Sequence, residues 1–290
     1  MANDLAEALE KAPLADVIVG LCNADVVAAA DKLVWVQIYW SGAERCLDVD
    51  KLGTGEVVLT NMQKMSAPTI GEHAVAMTLS LARGLVQYGS IMEAGEWRRD
   101  LMSNPGMYSV SGKTMLVVGL GGIGSAAAKR AKALGMRVIA TRNSSREGPP
   151  WVDYVGLSNE LSELVGEADV VVNALPLTPS TQGLFNRETF AAFKEGAYFI
   201  NVGRGGTVVT DDLVAALESG HVGGAGLDVT DPEPLPAEHP LWQMPNVIIT
   251  PHVAGTGSDR RYHFMLLREN VRRYLAGDAL FNVVDPERGY

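Results

Sequence analysis

Residues 115–124 read Met-Leu-Val-Val-Gly-Leu-Gly-Gly-Ile-Gly, and this stretch decides the fold. Its first four residues are apolar and predict a short strand over 115–118 that runs into the pattern Gly119-x-Gly121-x-x-Gly124. Glycines at this spacing let the backbone turn tightly and approach a pyrophosphate, whose charge then meets the N-terminus of the next helix. An Ala-rich helix over 125–134, ended by Gly135, and a second strand reaching Thr141 complete one βαβ unit. Glycine-rich surface turns are common, but this context predicts dinucleotide binding, with backbone contacts at Gly119, Gly121, Gly122, Ile123 and Gly124.

The residues after the second strand indicate which dinucleotide is bound. NAD enzymes place Asp or Glu about twenty residues beyond the glycines, where the carboxylate binds the ribose diol. Here residues 141–146 read Thr-Arg-Asn-Ser-Ser-Arg, and the first acid is Glu147. Because arginine offers a planar fork of donors to phosphate oxygens, this loop favours NADP(H), with NAD as the alternative cofactor. A basic loop that is simply solvated is the other interpretation. The predicted contacts are Thr141, Arg142, Asn143, Ser144 and Arg146.

Composition limits the class of protein. A chain of 290 residues with 47% hydrophobic and 20% charged residues is typical of a soluble globular protein of two domains. The net charge of −10 argues against nucleic acid and anionic membranes as partners. The N-terminus lacks an apolar signal core and no apolar run approaches a membrane span, which favours a cytoplasmic protein. Cys22 and Cys46 have no metal-ligand or redox spacing, so we expect free thiols in a reducing compartment and no bound metal.

Strand-like apolar runs alternate with helical patterns along nearly the whole chain, which predicts an α/β fold with parallel sheets. The predicted strands besides those of the first unit are 16–19, 33–38, 57–59, 170–173, 198–201, 226–229 and 247–250. The predicted helices are 23–31, 43–52, 69–88, 187–194, 211–218 (capped by Asp211 or Asp212 and ended by Gly220) and 258–275. Helix 69–88 carries apolar residues every three to four positions, so one face is buried and its length suits a subunit interface.

Three ionisable residues follow predicted strands, at the sheet edge where α/β proteins bind ligands. Arg204 follows 198–201, Glu233 follows 226–229, and His252 follows 247–250. Taken singly, each is most simply a surface charge or a structural residue. Together, at the edge of a sheet that is also predicted to bind a dinucleotide, one cation, one acid and one histidine indicate a catalytic site. A histidine can exchange a proton near neutral pH, and a carboxylate can fix the histidine tautomer.

The sequence resembles the D-isomer-specific 2-hydroxyacid dehydrogenases, the group of glyoxylate/hydroxypyruvate reductases and phosphoglycerate dehydrogenases. The resemblance lies in residues 35–43, 67–73, 119–124, 174–178, 201–205, 228–236 and 251–255. It implies that Arg204, Glu233 and His252 are catalytic, and that Ser41 and Gly42 bind the substrate carboxylate together with Arg204 and His252. It also implies that Asp228 holds the nicotinamide carboxamide. The remaining predicted cofactor contacts are Leu175, Pro176, Thr181, Val202, Gly203, His252, Ala254 and Gly255.

The resemblance implies a Rossmann doubly wound parallel sheet for the cofactor and a smaller flavodoxin-like substrate domain that opens one strand and helix short of the family pattern. The expected boundaries are 1–65 and 258–290 for the substrate domain and 66–257 for the cofactor domain. A cleft that closes on the substrate and a homodimer joined through helix 69–88 are also implied. The expected substrate is glyoxylate, hydroxypyruvate or a similar small acid. A non-catalytic NAD(P)(H)-sensing protein and a phosphite or formate enzyme are the alternatives; the formate branch carries Gln where this chain has Glu233.

Overall fold

The structure is a computed structural model that describes residues 2–99 and 107–289. The chain divides into two compact units, one formed by Met1–Ser66 with Ser258–Tyr290 and the other by Ala67–Gly257. Among the described residues, no helix has both the length and the apolar character that crossing a membrane requires. The same residues hold no group of three or more His, Cys, Asp or Glu side chains that could bind a metal ion.

The larger unit is built on a seven-stranded parallel sheet, as the βαβ pattern predicts. Its strands are β4 (Thr114–Val118), β5 (Arg137–Thr141), β6 (Tyr154–Gly156), β7 (Val170–Asn173), β8 (Ala197–Asn201), β9 (Val222–Leu227) and β10 (Val247–Ile249). Its helices are α5 (Ala67–Ala82), α6 (Leu85–Glu93), α7 (Gly122–Ala133), α8 (Leu161–Glu167), α9 (Arg187–Ala191) and α10 (Thr210–Glu218). The strand order β10-β9-β8-β7-β4-β5-β6 reverses direction between β4 and β7, which is where a doubly wound sheet opens a crevice for a dinucleotide.

Apolar layers cover both faces of this sheet, which is why its strands read as nearly continuous apolar runs. On one face the rings of Phe185 and Phe199 lie 4.8 Å apart between their centroids. On the other face α5 packs closely against α7, and a Cβ added at Gly71 would lie 2.8 Å from Ala126. The glycine in α5 therefore permits the close approach of these two helices.

The smaller unit contains a three-stranded parallel sheet of order β1 (Val17–Val19), β2 (Trp35–Gln37) and β3 (Val58–Thr60). Its helices are α1 (Leu5–Lys11), α2 (Ala24–Ala29), α3 (Glu44–Leu47), α4 (Asp50–Gly53) and α11 (Arg260–Ala276). Asn270 of α11 is fully buried and donates a hydrogen bond to Gln37 Oε1 over 3.1 Å. The terminal helix is thus fixed to β2 by a buried polar contact.

The predicted helix over 69–88 is wrong as a single element. The structure contains α5 and α6 instead, with Gly84 between them at φ +63°. That left-handed conformation ends the first helix, and glycine adopts it without the steric cost of a Cβ. The apolar spacing continues across the break, so periodicity alone did not reveal it.

The expectation of free thiols is also wrong, because Cys22 and Cys46 form a disulfide bond. The two cysteines are 24 residues apart in sequence, but their Cα atoms lie 5.5 Å apart in the fold. The pair joins the segment after β1 to α3, a proximity that no local motif encodes.

Several smaller predictions need correction. Neither Asp211 nor Asp212 caps α10, whose N-cap is Val209. Asp212 instead accepts a hydrogen bond from the backbone N–H of Arg187 over 2.8 Å. The predicted helix 43–52 is two short helices, α3 and α4, and β6 and α8 were not predicted at all. The predicted helix-ending glycines are confirmed, with φ +80° at Gly135 and φ +76° at Gly220.

Candidate active site

The glycine turn joins β4 directly to α7, which begins at Gly122, three residues earlier than predicted. Gly119 has φ +96°, and a Cβ on Gly124 would overlap the Gly119 carbonyl oxygen, so both positions require glycine. A Cβ on Gly121 would meet nothing within 4 Å, and no side chain caps the helix. The turn therefore leaves an open helix N-terminus of the kind that binds a pyrophosphate.

The residues predicted to bind the adenosine ribose lie after β5, at the same edge of the sheet. The buried Thr141 accepts hydrogen bonds at its carbonyl from the Gly119 and Leu120 N–H groups over 3.3 and 3.1 Å, which ties the loop to the glycine turn. Arg142 Nη1 donates to the Glu147 carbonyl over 3.1 Å. Ser158 donates to Asn143 Oδ1 over 3.3 Å, and Ser144 is exposed.

The expectation that residues 141–146 have no acidic partner is wrong for Arg146. Its Nη2 atom lies 2.8 Å from Glu160 Oε1, and its Nη1 atom donates to the Tyr154 hydroxyl over 2.9 Å. Glu160 was not predicted as a partner of this loop because it lies fourteen residues beyond Arg146 and follows β6, a strand that was not predicted. The loop therefore carries a counterion from a neighbouring segment.

A second set of predicted contacts lies in the segments that follow β7 and β8, beside the glycine turn. Leu175 is 3.0 Å from the position of a Cβ on Gly119, and its carbonyl oxygen is 2.6 Å from the position of a Cβ on Gly203. Thr181 donates through its hydroxyl to the Pro176 carbonyl over 2.7 Å, which closes the loop after β7. Val202 directly follows β8 and is buried.

Arg204 is held at the end of β8 by a buried polar network. Thr207 and Asn201 donate to the Arg204 carbonyl oxygen over 2.6 and 3.2 Å. Asn173 in turn donates to Asn201 Oδ1 over 3.0 Å and to Thr207 Oγ1 over 2.7 Å. Both asparagines are almost fully buried. Because these polar groups satisfy one another, the backbone that carries the arginine is fixed.

Asp228 follows β9 and is 3% exposed. Its carboxylate accepts hydrogen bonds from the Thr250 hydroxyl over 2.6 Å and from the Val253 and Ala254 N–H groups over 2.9 and 3.1 Å. His73 of α5 contacts the same cluster, with its Nε2 atom 2.9 Å from Thr250 Oγ1. Neither Thr250 nor His73 had a role predicted from sequence, although His73 lies in the 67–73 motif and Thr250 directly precedes the 251–255 motif.

His252 and Glu233 are brought together from loops 19 residues apart in sequence, with 2.7 Å between His252 Nδ1 and Glu233 Oε1. The His252 N–H donates to the Asp228 carbonyl over 2.8 Å, and the residue adopts φ +54°. The histidine side chain is 51% exposed. Because the carboxylate engages Nδ1, the Nε2 atom is available to exchange a proton with a ligand.

Ser41 lies in the smaller unit, where its hydroxyl donates to the Met62 carbonyl over 3.3 Å. Its own carbonyl accepts a hydrogen bond from Asn61 Nδ2 over 2.7 Å. These contacts fix the segment of Ser41 and Gly42 against the residues after β3. The substrate-binding roles of Ser41 and Gly42, like the cofactor-binding role of Gly255, remain predictions.

Comparison with known proteins places this geometry in a family. The model for the NAD binding domain of D-isomer specific 2-hydroxyacid dehydrogenases matches residues 75–254. Glyoxylate/hydroxypyruvate reductase B of Escherichia fergusonii is 35% identical over 242 residues, which cover 83% of this chain and 74% of the relative. Glyoxylate reductase of Korarchaeum cryptofilum is 32% identical over 272 residues, which cover 91% of this chain and 80% of the relative.

Solved structures agree with this assignment. An NADPH-dependent glyoxylate/hydroxypyruvate reductase from Sinorhizobium meliloti, solved with NADP and sulfate, has a TM-score of 0.84 at 32% identity and covers 95% of this chain and 86% of its own. A dehydrogenase of the same family from Xanthobacter autotrophicus, solved with NADPH and MES, has a TM-score of 0.82 at 32% identity, with 92% and 82% covered. The chain therefore belongs to the D-isomer specific 2-hydroxyacid dehydrogenase family.

Proposed function

We propose that this protein is an NADP(H)-dependent reductase that converts a small 2-oxo acid, such as glyoxylate or hydroxypyruvate, to its D-2-hydroxy acid. The observation that carries the proposal is the 2.7 Å contact between His252 and Glu233. The pair follows β9 and β10, and Arg204 follows the adjacent strand β8. The relatives named glyoxylate/hydroxypyruvate reductase support the substrate class.

Each catalytic residue has a distinct role in this reaction. A bound reduced nicotinamide would supply hydride to C2 of the substrate. Arg204 binds the carboxylate and the carbonyl oxygen through its planar fork of donors, which holds the carbonyl carbon in position. His252 donates the proton from Nε2 to the carbonyl oxygen as it becomes a hydroxyl. Glu233 accepts the Nδ1–H hydrogen bond and fixes the tautomer and orientation of the His252 ring.

The residues of the cofactor site fit a 2′-phosphorylated dinucleotide. The glycine turn offers an open helix N-terminus to the pyrophosphate, and the buried Asp228 carboxylate is proposed to hold the nicotinamide carboxamide. Arg142 and Arg146 are proposed to bind the 2′-phosphate. The NADP and NADPH found in solved relatives support this preference.

The reaction is tested with a panel of 2-oxo acids assayed separately with NADPH and NADH. We expect NADPH oxidation with glyoxylate and hydroxypyruvate, and a higher kcat/KM with NADPH than with NADH. Chiral analysis of the product should give the D isomer. If folded protein binds NADPH but oxidises it with none of these acids, the proposed reaction is wrong and the cofactor-sensing alternative gains support.

We also propose a homodimer in which α6 and the residues after it are part of the interface. The apolar side chains of α5 pack largely within their own unit, so the exposed apolar side chains that could meet a partner subunit lie in α6 and just beyond it. There Leu85 is 55% exposed and Met92 is 77% exposed, and beyond the helix Trp97 is 90% exposed. Large apolar side chains this exposed, within thirteen residues of sequence, are typical of an association surface.

Light scattering at micromolar concentration tests this proposal. We expect a mass near twice the chain mass of 31.0 kDa. Substitution of Met92 by Glu should shift the population towards monomer, because the interface would then bury an unpaired carboxylate. Substitution of the exposed Leu14, which lies in the other unit, should not. A mass near 31.0 kDa for the unsubstituted chain would rule the dimer out.

A further inference from the structure

Glu160 faces the loop that is proposed to bind the 2′-phosphate. The carboxylate contacts Arg146 through both of its oxygens, with 2.8 Å from Nη2 to Oε1 and 3.1 Å from Nη1 to Oε2. The Tyr154 hydroxyl donates to Glu160 Oε2 over 2.5 Å and accepts from Arg146 Nη1 over 2.9 Å. Both terminal nitrogens of the guanidinium are therefore engaged by one carboxylate and its tyrosine neighbour.

The carboxylate is the fixed member of this pair. Glu160 Oε1 also accepts a hydrogen bond from the Leu157 N–H over 2.7 Å, which holds the side chain against its own turn. The Glu160 side chain is 19% exposed, whereas that of Arg146 is 54% exposed. When a phosphate arrives, the arginine can move, but the negative charge stays where it is.

Both groups of the pair remain charged throughout the neutral range. The hydrogen bond from Tyr154, followed by those from the Leu157 N–H and Arg146, lowers the pKa of Glu160 to about 2. The hydrogen bond to Glu160 raises the pKa of Arg146. The positive charge that Arg146 brings to the loop is therefore balanced by an adjacent negative charge.

This balance acts differently on the two dinucleotides. The 2′-phosphate of NADPH carries negative charge, so it must compete with Glu160 for the guanidinium and is repelled by the carboxylate. The 2′-hydroxyl of NADH is uncharged and experiences neither effect. The presence of Glu160 thus weakens NADPH binding and leaves NADH binding nearly unchanged.

We propose that Glu160 is a specificity-determining residue that competes with the 2′-phosphate for Arg146 and so reduces the preference for NADP(H) over NAD(H). This inference rests on the proposed function, because it takes the 142–146 loop as the 2′-phosphate site. Glu160 lies outside the βαβ unit, and in this proposal it sets how much more tightly NADPH binds than NADH.

The test is the Glu160→Gln substitution, which keeps the size of the side chain and an oxygen that can accept from the Leu157 N–H. We expect the Kd for NADPH, measured by nicotinamide fluorescence without substrate, to fall by roughly three- to tenfold, the range of a partly exposed charge pair. The Kd for NADH should change by less than about twofold. Calorimetry with adenosine 2′,5′-bisphosphate and with adenosine 5′-monophosphate should give the same contrast. Since Arg146 would be freed to meet a charged group, the gain should shrink as salt is added.

Glu167→Gln is the matched control. Glu167 lies at the end of α8 and pairs with Arg137 over 2.8 Å, with both side chains about half exposed. Its loss removes the same charge from the same unit without touching the 142–146 loop. We expect no change in the affinity for either dinucleotide beyond about twofold. Thermal melting checks that each variant is folded, and Glu160→Ala should repeat the direction of Glu160→Gln if the glutamine is poorly accommodated.

The outcomes separate this inference from the proposed cofactor preference. Arg142→Ala should raise the Kd for NADPH by about tenfold or more, because one charge-assisted contact to phosphate is lost. If Arg142→Ala has no effect and the unsubstituted protein binds NADPH no more tightly than NADH, the loop is not the 2′-phosphate site. If Arg142→Ala weakens NADPH binding but Glu160→Gln leaves it unchanged or weakens it, the role of Glu160 is wrong.

Discussion

The His252→Ala variant is expected to lose about 10²- to 10⁴-fold in kcat for reduction of a 2-oxo acid, the usual contribution of a positioned general acid. In the proposed mechanism the imidazole is the proton donor, and its Nδ1 atom lies 2.7 Å from Glu233 Oε1. The Kd for NADPH should change much less, because the pyrophosphate and the 2′-phosphate are proposed to bind at the glycine turn and at the 142–146 loop. The measurement is kcat with saturating NADPH, beside the Kd for NADPH of the same preparation.

His221→Ala is the matched control for this substitution. His221 directly precedes β9, at the end of the strand opposite to the one that Glu233 follows. We expect its kcat to stay within about twofold of the unsubstituted value. Near-normal kcat in His252→Ala would overturn the mechanism, because the reaction would then proceed without its proposed proton donor.

Glu233→Gln should lower kcat for reduction by roughly ten- to hundredfold, because one charge-assisted hydrogen bond is worth roughly 1.5–3 kcal/mol. The amide keeps the shape of the side chain but withdraws the charged acceptor that faces His252 Nδ1 at 2.7 Å. The ring of His252 would then lose the partner that fixes its tautomer and orientation. The measurement is kcat with saturating NADPH and a 2-oxo acid. A kcat within about twofold of the unsubstituted value would contradict the pairing of these residues.

Much of the larger unit follows from local sequence. The strand, glycine turn and helix over 114–133 are encoded within one short segment, because glycine is required at Gly119 and Gly124 by the backbone itself. Arg204, Glu233 and His252 could be placed at one sheet edge because the carboxyl ends of parallel strands meet there. The contact between Glu233 and His252 was expected from this shared edge together with the family resemblance.

The features that escaped prediction depend on contacts between distant segments. The disulfide between Cys22 and Cys46 and the pairing of Arg146 with Glu160 are set by how loops meet in space. The break between α5 and α6 at Gly84 was not predicted for a different reason. The apolar periodicity of α5 continues into α6, so it does not reveal the single left-handed residue between them. The buried hydrogen bonds from Asn201 and Thr207 to the Arg204 carbonyl were not predicted, because polar side chains at or after the end of a strand usually indicate a solvated loop.

Arg204→Lys should reduce kcat/KM for the 2-oxo acid by roughly ten- to hundredfold, mainly through a higher KM. Lysine keeps the charge but cannot reproduce the bidentate fork, and one charge-assisted hydrogen bond is worth roughly 1.5–3 kcal/mol. Because Thr207 and Asn201 bind the backbone carbonyl of residue 204, the substitution changes the head group and leaves its support in place.

Steady-state kinetics with glyoxylate or hydroxypyruvate at saturating NADPH separate KM from kcat. Arg187→Lys serves as the control, since Arg187 is 85% exposed and pairs with Asp212 on the surface. That variant should match the unsubstituted enzyme within about twofold. If Arg204→Lys also leaves KM unchanged, the substrate carboxylate is bound elsewhere. If instead kcat collapses at normal KM, Arg204 stabilises the transition state rather than the bound acid.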